Sequence, residues 1–287
     1  MPRLDPVHSG IARLLRGEAL APRAVSRRRS QDLVDGAVLE TIGRHGVCVI
    51  RRPVRELLPG TDLERDLRDA FASLATRDPQ SVYPGLRAAV GRRVEDLVVL
   101  DLETTGFWGC PIFLVGMILW EAGELISVQV LARDYAEEKA MLAASVSFLG
   151  ARSLLATFNG KSYDVPCFRE RCQYHRVPSA VHDTDHVDVL HASRRRWKGE
   201  LKDCRLQTLE WEVVGLHRVG DVPSAEIPGV YHEFVATGDP GLLQPVLHHG
   251  RVDTVTTASL LARLLADPPL PIPRRPRKKT TPAKDID

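Results

Sequence analysis

Two carboxylates in the segment LVVLDLETTG have the spacing of metal ligands. Asp101 and Glu103 lie two residues apart in a run that is otherwise apolar and predicts a β-strand. Side chains at i and i+2 of a strand share one face, about 7 Å apart, so both can reach one cation or a close pair of cations. A buried pair of acids is costly without a cation. Isolated acids of this kind also occur at the solvent-exposed end of a strand, so the pair alone does not decide.

A second acidic motif follows about sixty residues later in LLATFNGKSYD. The run LLATF predicts a buried strand, and Asn159 with Gly160 predicts a turn. Asp164 then lies in the first turn of a helix, near the carboxyl end of that strand. An Asp in this position stabilises the helix dipole without any other function. Asp164 is therefore either a helix-stabilising residue or a third carboxylate of the same site.

The third motif is LHHGRVDTVTTASLL, which predicts a helix. His249 and Asp253 are four residues apart and about 40° apart around a helix axis, so they face the same way. A histidine one turn from a metal-bound carboxylate can accept a proton from a metal-bound water. His248 points about 140° away from Asp253 and would be the alternative base only if the helix began later.

The elements that must position these residues follow a recognisable order. The sequence predicts three adjacent strands at 97–103, 112–120 and 125–131, then alternating helices and strands. Further strands are expected at 153–158 and 186–190. Helices are expected at 62–74, 137–149, 163–175, 205–215 and 241–265, the last broken near Pro245. The pattern predicts an α/β fold of the ribonuclease H type, with a mixed five-stranded sheet made of a three-stranded antiparallel meander plus parallel strands.

The regions on either side of this pattern differ from it in composition. Residues 1–95 contain a weakly helical start and the basic run SRRRS, and we interpret them as an accessory N-terminal arm of unknown function. Residues 96–266 carry all three motifs. Residues 267–287 are rich in proline and basic side chains, which predicts a disordered tail.

Charge is unevenly distributed although the net charge is only +2. Residues 1–100 carry 17 basic and 13 acidic side chains, residues 101–266 carry 16 and 21, and residues 267–287 carry 6 and 3. This arrangement suits a central cation site flanked by regions that attract a polyanion. Apolar runs are too short for a membrane span, and the start is not a secretory signal, so we expect a cytoplasmic protein. Five cysteines without a CxxC pair fit that compartment.

Together the motifs resemble a known family of enzymes. DLETTG, then NGKSYD, then HxxxD in a late helix resembles the DEDD exonucleases of the ribonuclease H superfamily. The stretches HVDVLHASRRRWKGELKDCRLQTLEWEVVGLHR, EIPGVYHEFVATGDP and VLHHGRVD are similar to the YprB-type ribonuclease-H-like exonuclease family. The resemblance covers residues 96–265 and identifies 96–266 as a ribonuclease-H-like exonuclease domain.

The resemblance implies a role for each motif residue. Two divalent cations, Mg²⁺ or Mn²⁺, would be bound by four carboxylates and His249 would be the general base. The four ligands are Asp101, Glu103, Asp164 and Asp253. The residues implied to contact substrate are Thr104, Thr105, Gly106, Phe107 and Asn159, with Phe107 placed to stack on a terminal base.

The implied activity is metal-dependent 3′ to 5′ hydrolysis of phosphodiester bonds at a single-stranded end. DNA is favoured over RNA, with a setting in DNA repair and a helicase or another repair protein as partner, and no membrane association. Two other functions fit the same residues. One is a catalytically inert nucleic-acid-binding adaptor, and the other is a structure-selective endonuclease that uses the same ligands.

Overall fold

The computed structural model describes residues 37–42, 45–58, 61–150, 152–218 and 220–266. The predicted helical start near Leu14 and the predicted disordered tail 267–287 lie outside these residues. Within the described ranges, no helix combines the length and the apolar character needed to cross a membrane.

In the part of the chain that the structure describes, seven strands form one mixed central sheet. They are β1 Ala37–Ile42, β2 His45–Pro53, β3 Leu97–Thr104, β4 Ile112–Glu121, β5 Glu124–Leu131, β6 Leu154–Thr157 and β7 Asp185–Asp188. Their order is β1-β2-β5-β4-β3-β6-β7. Strands β3, β6 and β7 are parallel and the other neighbours are antiparallel. The predicted meander and parallel strands are confirmed.

The predicted number of five strands is wrong, because β1 and β2 extend the sheet beyond the meander. Strand β2 pairs with β5, with Cys48 opposite Leu131 and Val49 opposite Val130. All four side chains are buried, so this pairing adds apolar contacts to the core as well as backbone hydrogen bonds. The described part of the N-terminal arm therefore contributes two strands to the same sheet.

Helices cover both faces of the sheet. They are α1 Val54–Leu57, α2 Leu63–Ala75, α3 Glu138–Leu149, α4 Asp164–His175, α5 Val189–Trp197, α6 Leu206–Leu209, α7 Ile227–Thr237 and α8 Leu243–Leu265. Side chains of α3, α4 and α7 share one buried cluster with Val98 and Leu100 of β3. Side chains of α2, α5 and α8 share the other cluster with Leu97 and Val99. Asp101 and Glu103 continue the second series along β3, so they lie on the α8 side of the sheet.

Helix α8 is continuous, and the predicted break near Pro245 is wrong. Pro245 is the third residue of the helix, where the backbone N–H has no partner inside the helix and its loss costs little. Gly116 on β4 allows the helix to lie close to the sheet. A Cβ there would be 3.3 Å from Thr254 Cγ2 and 3.7 Å from the Gly250 carbonyl oxygen. Because α8 lies so close to the sheet, its turn that contains Asp253 packs over the central strands.

The predicted helix after Arg205 is a short helix followed by an unusual turn. Helix α6 continues into a π-helical turn at Glu210–Val214. Gly215 ends this turn with a φ of 82°, in the left-handed region that glycine adopts readily. Single π-helical turns are rare and frequently occur at functional sites.

Candidate active site

The four predicted carboxylates reach one region of the molecule from three elements. Asp101 and Glu103 lie near the end of β3, Asp164 is the first residue of α4, and Asp253 lies in α8. The negative charges of Asp253 and Asp164 act on both Asp101 and Glu103. Because each of these charges acts on its neighbours through space, the four side chains lie in one region, here called the acidic cluster.

This acidic cluster is unfavourable when every member is ionised. Burial is the largest cause that raises the pKa of Asp101 and Glu103 well above their ordinary values, and the neighbouring acids raise it further. Burial also raises the pKa of Asp164 to about 7, with added repulsion from Asp188 and Asp253, against opposing backbone hydrogen bonds. Carboxylates that repel one another in this way are stabilised by a bound cation.

An arginine with a largely buried side chain, which the sequence analysis did not identify, lies against this cluster. Arg218 forms ion pairs with Asp253, with Asp221 at 3.2 Å and with Glu210 at 2.7 Å. Burial disfavours its charge, but the partner carboxylates, Glu210 first, outweigh burial and raise the pKa of Arg218. Its positive charge in turn opposes, without outweighing, the causes that raise the pKa of Asp101. In the sequence, Arg218 and Asp221 are only two charged residues of the loop GLHRVGDVPS, although functional residues are common in loops.

The two neighbouring histidines of α8 have different surroundings. His249 is buried, with Nε2 at 3.4 Å from Asp253 Oδ2 and Nδ1 at 2.8 Å from Asp221 Oδ1. His248 lies on another face of the helix, where it lines a cavity of about 500 Å³ together with Val252. His249 is therefore the histidine in contact with a carboxylate of the acidic cluster.

The segment after β3 leaves the sheet in a fixed conformation. The Thr104 hydroxyl donates to the Gly106 carbonyl oxygen and lies 3.0 Å from the Tyr163 hydroxyl. The Thr105 N–H donates to the Pro111 carbonyl oxygen at 2.9 Å. Gly106 leaves room for the side chain of Cys110, since a Cβ at this position would lie 2.9 Å from the Cys110 sulfur. The backbone of residues 104–106 is therefore held beside the acidic cluster.

Two aromatic side chains project from this segment into solvent. Phe107 is 84% exposed and Trp108 is 56% exposed. Trp108 makes an edge contact with the ring of Tyr163, with centroids 5.6 Å apart. The loop is also tied to α4, since the Arg171 guanidinium donates to the Gly109 carbonyl oxygen at 3.1 Å. Exposed aromatic rings on a fixed loop provide flat surfaces on which a base can stack.

The turn that leads to Asp164 is held by a further buried acid, Asp188. Its carboxylate accepts the backbone N–H groups of Asn159 at 3.0 Å, Lys161 at 3.2 Å and Leu190 at 3.1 Å. Asn159 has a φ of 67°, and the bond from its N–H fixes this left-handed conformation. Asp188 thus stabilises the turn that positions Asp164.

The chemistry of the donor set fits hard divalent cations such as Mg²⁺ or Mn²⁺, which prefer carboxylate oxygen. In the arrangement that the described residues adopt, however, no three His, Cys, Asp or Glu side chains form a group that could hold a metal ion. Asp253 is engaged by Arg218 and His249 instead. The oxygen atoms and negative charges of these side chains therefore fit divalent ions. For Asp253 to bind an ion, its carboxylate must contact the ion in place of Arg218.

The region that carries these residues is similar in sequence to known proteins. A sequence model of the RNase H superfamily matches residues 98–265, which is more than half of the chain. The chain is also 33% identical over 178 residues to an uncharacterised protein, YprB, of Bacillus subtilis (strain 168), an alignment that covers 60% of this chain and 43% of YprB. The chain thus spans less than half the length of that relative. The matched residues 98–265 include all four acids of the cluster and His249.

Proposed function

The chain belongs to the RNase H superfamily, and we propose that it is a metal-dependent 3′ to 5′ exonuclease that hydrolyses phosphodiester bonds at single-stranded ends, with DNA favoured over RNA. The observation that carries the proposal is the acidic cluster of Asp101, Glu103, Asp164 and Asp253, whose members raise one another's pKa. An adaptor that only binds nucleic acid would gain nothing from keeping such mutually repelling acids buried beside a polyanion.

In the proposed mechanism the acidic cluster binds two divalent ions. When bound, these ions supply Lewis-acid stabilisation of the negative charge that develops on the scissile phosphate during in-line displacement. Asp101 and Glu103 lie on the same face of β3, so both carboxylates point to this site. Asp164 is at the start of α4 and Asp253 is in α8. Asp253 would contact the ions in place of Arg218, and Arg218 would keep its contacts with Glu210 and Asp221.

His249 acts as the general base in this proposal. Its Nε2 faces the acidic cluster at 3.4 Å from Asp253 Oδ2, so it can accept the proton of the attacking water. The ring is buried, which excludes bulk water from competing for the same nitrogen. His248 instead lines a cavity bounded by Arg218 and Glu210, and its buried Nε2 makes no hydrogen bond within the described residues.

The end of the strand would be held by the segment that follows β3. Thr104, Thr105 and Gly106 supply backbone groups close to the acidic cluster, and Phe107 stacks on the terminal base, an interaction worth roughly 1 to 3 kcal/mol per base. Stacking does not distinguish one base from another. Asn159, beside the same edge of the sheet, is proposed as a further contact to the strand.

A setting in DNA repair, and a helicase or another repair protein as partner, are proposals that rest on the family resemblance alone. A cytoplasmic location, and the division of the chain into an N-terminal arm at 1–95 and a catalytic domain at 96–266, are proposals that rest on the sequence pattern.

The direct test uses single-stranded oligonucleotides labelled at the 3′ or the 5′ end, made of DNA or RNA, with Mn²⁺, Mg²⁺ or EDTA. The proposal predicts metal-dependent loss of a 3′ label as mononucleotides and a ladder of shortened 5′-labelled products. Asp101→Asn should abolish both. The matched control is Asp185→Asn, an exposed carboxylate at the amino end of β7 that pairs with Arg92, and it should leave hydrolysis unchanged.

Three results would contradict the proposal. Internal cleavage of a closed circular substrate would indicate an endonuclease, and binding without turnover would indicate an adaptor. Equal activity of Asp101→Asn and Asp185→Asn would show that the acidic cluster is not the catalytic centre.

A further inference from the structure

The ring of His249 is held at both nitrogens by groups from different parts of the chain. Nδ1 lies 2.8 Å from Asp221 Oδ1, and Nε2 faces Asp253 Oδ2 and the Ser224 hydroxyl, each at 3.4 Å. The ring is only 3% exposed. An imidazole that is buried and contacted on both sides has a fixed orientation, so its protonation pattern is set by these neighbours.

Asp221 is itself held in place. Its second oxygen, Oδ2, lies 3.2 Å from Arg218 Nη1, which leaves Oδ1 for the histidine. Arg218 is fixed by Glu210, and Glu210 also accepts a hydrogen bond from Thr256 of α8 at 2.8 Å. This buried chain of contacts connects the loop that carries Asp221 to the helix that carries His249.

Asp221 is an ionised acceptor in these surroundings. Burial tends to raise the pKa of its carboxyl, but the hydrogen bonds and charges of His249 and Arg218 outweigh burial and hold the pKa below its usual range. An ionised carboxylate can only accept hydrogen bonds. Nδ1 of His249 must therefore carry the proton that it shares with Asp221, and in the neutral ring Nε2 is then the free acceptor.

We propose that Asp221 is a positioning residue that fixes His249 in the Nδ1-protonated tautomer and so presents an unprotonated Nε2 to the acidic cluster. The proposal rests on the proposed function, because it assigns the geometry of the base in that reaction. Asp221 does not touch the scissile phosphate in this assignment, although its charge acts on the metal ligand Glu103. Its effect on hydrolysis passes through the ring of His249.

Asp221→Asn is the informative substitution because it keeps the size of the side chain. The amide has one acceptor and one donor group, and the guanidinium of Arg218 can only donate. The amide oxygen should therefore face Arg218 and its NH₂ group should face Nδ1. This reverses the tautomer, so that Nε2 becomes protonated and cannot accept a proton from water.

The experiment combines a spectroscopic and a kinetic measurement on the full-length chain. ¹⁵N chemical shifts of the histidine rings are recorded without metal and with Mg²⁺, above about pH 8, where an ordinary imidazole is neutral. The His249 signals are identified by their loss in His249→Gln. The proposal predicts a protonated Nδ1 in the wild type and a protonated Nε2 in Asp221→Asn. The kcat for the oligonucleotide should fall roughly 10- to 100-fold, with KM unchanged.

A matched control is Asp239→Asn. Asp239 caps the turn just before α8 by accepting the Gly241 N–H, a bond that asparagine also makes, and it should leave both the tautomer and kcat unchanged. The same tautomer in wild type and Asp221→Asn, or an unaltered kcat in Asp221→Asn, would overturn the proposal. Because the NMR measurement needs no substrate, failure of the proposed function would appear separately, as a wild type that shows the predicted tautomer but no hydrolysis.

Discussion

The carboxylates of the acidic cluster differ in which positively charged or hydrogen-bonding groups lie next to them. Asp253 contacts Arg218 and His249 directly. Asp101 and Glu103 are affected by Arg218 only over a longer range, and their pKa values are raised by burial and by the other acids. Removing one carboxylate should therefore have opposite effects on stability at different positions, even where the effect on hydrolysis is the same.

Asp101→Asn should raise the melting temperature of the metal-free protein, because it removes a buried charge that its neighbours disfavour. Asp253→Asn should lower it by the equivalent of about 1 to 3 kcal/mol, because it removes a partner of buried Arg218. Both variants should lack hydrolysis. Calorimetric melting in EDTA measures the difference. Shifts of the same sign in both variants would contradict this account of the charges.

The sequence analysis identified residues that belong to a short spacing pattern within one strand or one helix. Asp101, Glu103 and the His249–Asp253 pair stand out because two- and four-residue spacings have a direct meaning on a strand and a helix. Arg218 and Asp221 did not stand out, because their partners lie 35 and 28 residues further along the chain and meet them only after folding. No local pattern predicts such pairs.

Among the elements, the turn between β6 and α4 controls where Asp164 lies. Gly160 in this turn donates its N–H to the Thr157 hydroxyl at 3.1 Å, and a Cβ at position 160 would lie 2.5 Å from Thr157 Cβ. Thr157 is fully buried and contacts His186 at 2.8 Å, so it has little room to move. The turn therefore tolerates only glycine at position 160.

Gly160→Ala should destabilise the protein by roughly 1 to 3 kcal/mol, because the new methyl group overlaps a buried side chain. It should also reduce hydrolysis by displacing Asp164. The matched control is Gly229→Ala in α7, where a Cβ meets nothing within 4 Å, and there alanine should be neutral or stabilising. Chemical denaturation compares the two variants. Equal stability of both would show that the turn can rearrange.

The boundaries of most elements were predictable from apolar periodicity and flanking turns. Helix α2 and the strands of the meander begin and end within one or two residues of the prediction. The pairing of β2 with β5 was not predictable, because it joins segments separated by the whole of α2 and two strands. Pro245 was misinterpreted because the sequence does not show that the helix begins only two residues earlier.

For the whole molecule, the acidic cluster links folding to protonation. Asp164 has a pKa of about 7 in the folded protein against an ordinary value of 3.8, so the folded metal-free chain binds its proton more tightly than the unfolded chain does. Protonated Asp164 therefore stabilises the folded metal-free protein. This stabilisation is fully present below about pH 4 and is lost as the pH rises through 7. A bound cation should replace the proton above that range.

The metal-free wild type should therefore lose melting temperature relative to Asp164→Asn as the pH is raised from about 4 to about 8. Asparagine is neutral throughout, so the difference between the two proteins isolates the contribution of this carboxyl. Adding Mg²⁺ at the upper end of the range should stabilise the wild type more than the variant. A difference in melting temperature that does not change with pH would mean that Asp164 is already ionised in the folded protein.

The central claim is that the acidic cluster is a site for two divalent ions. The most direct measurement is a calorimetric titration of the metal-free chain with Mn²⁺. The account predicts two ions bound by the wild type and by the control Asp185→Asn, and the loss of at least one of them in Asp101→Asn. Absence of Mn²⁺ binding in the wild type, or an identical titration in Asp101→Asn and Asp185→Asn, would contradict it.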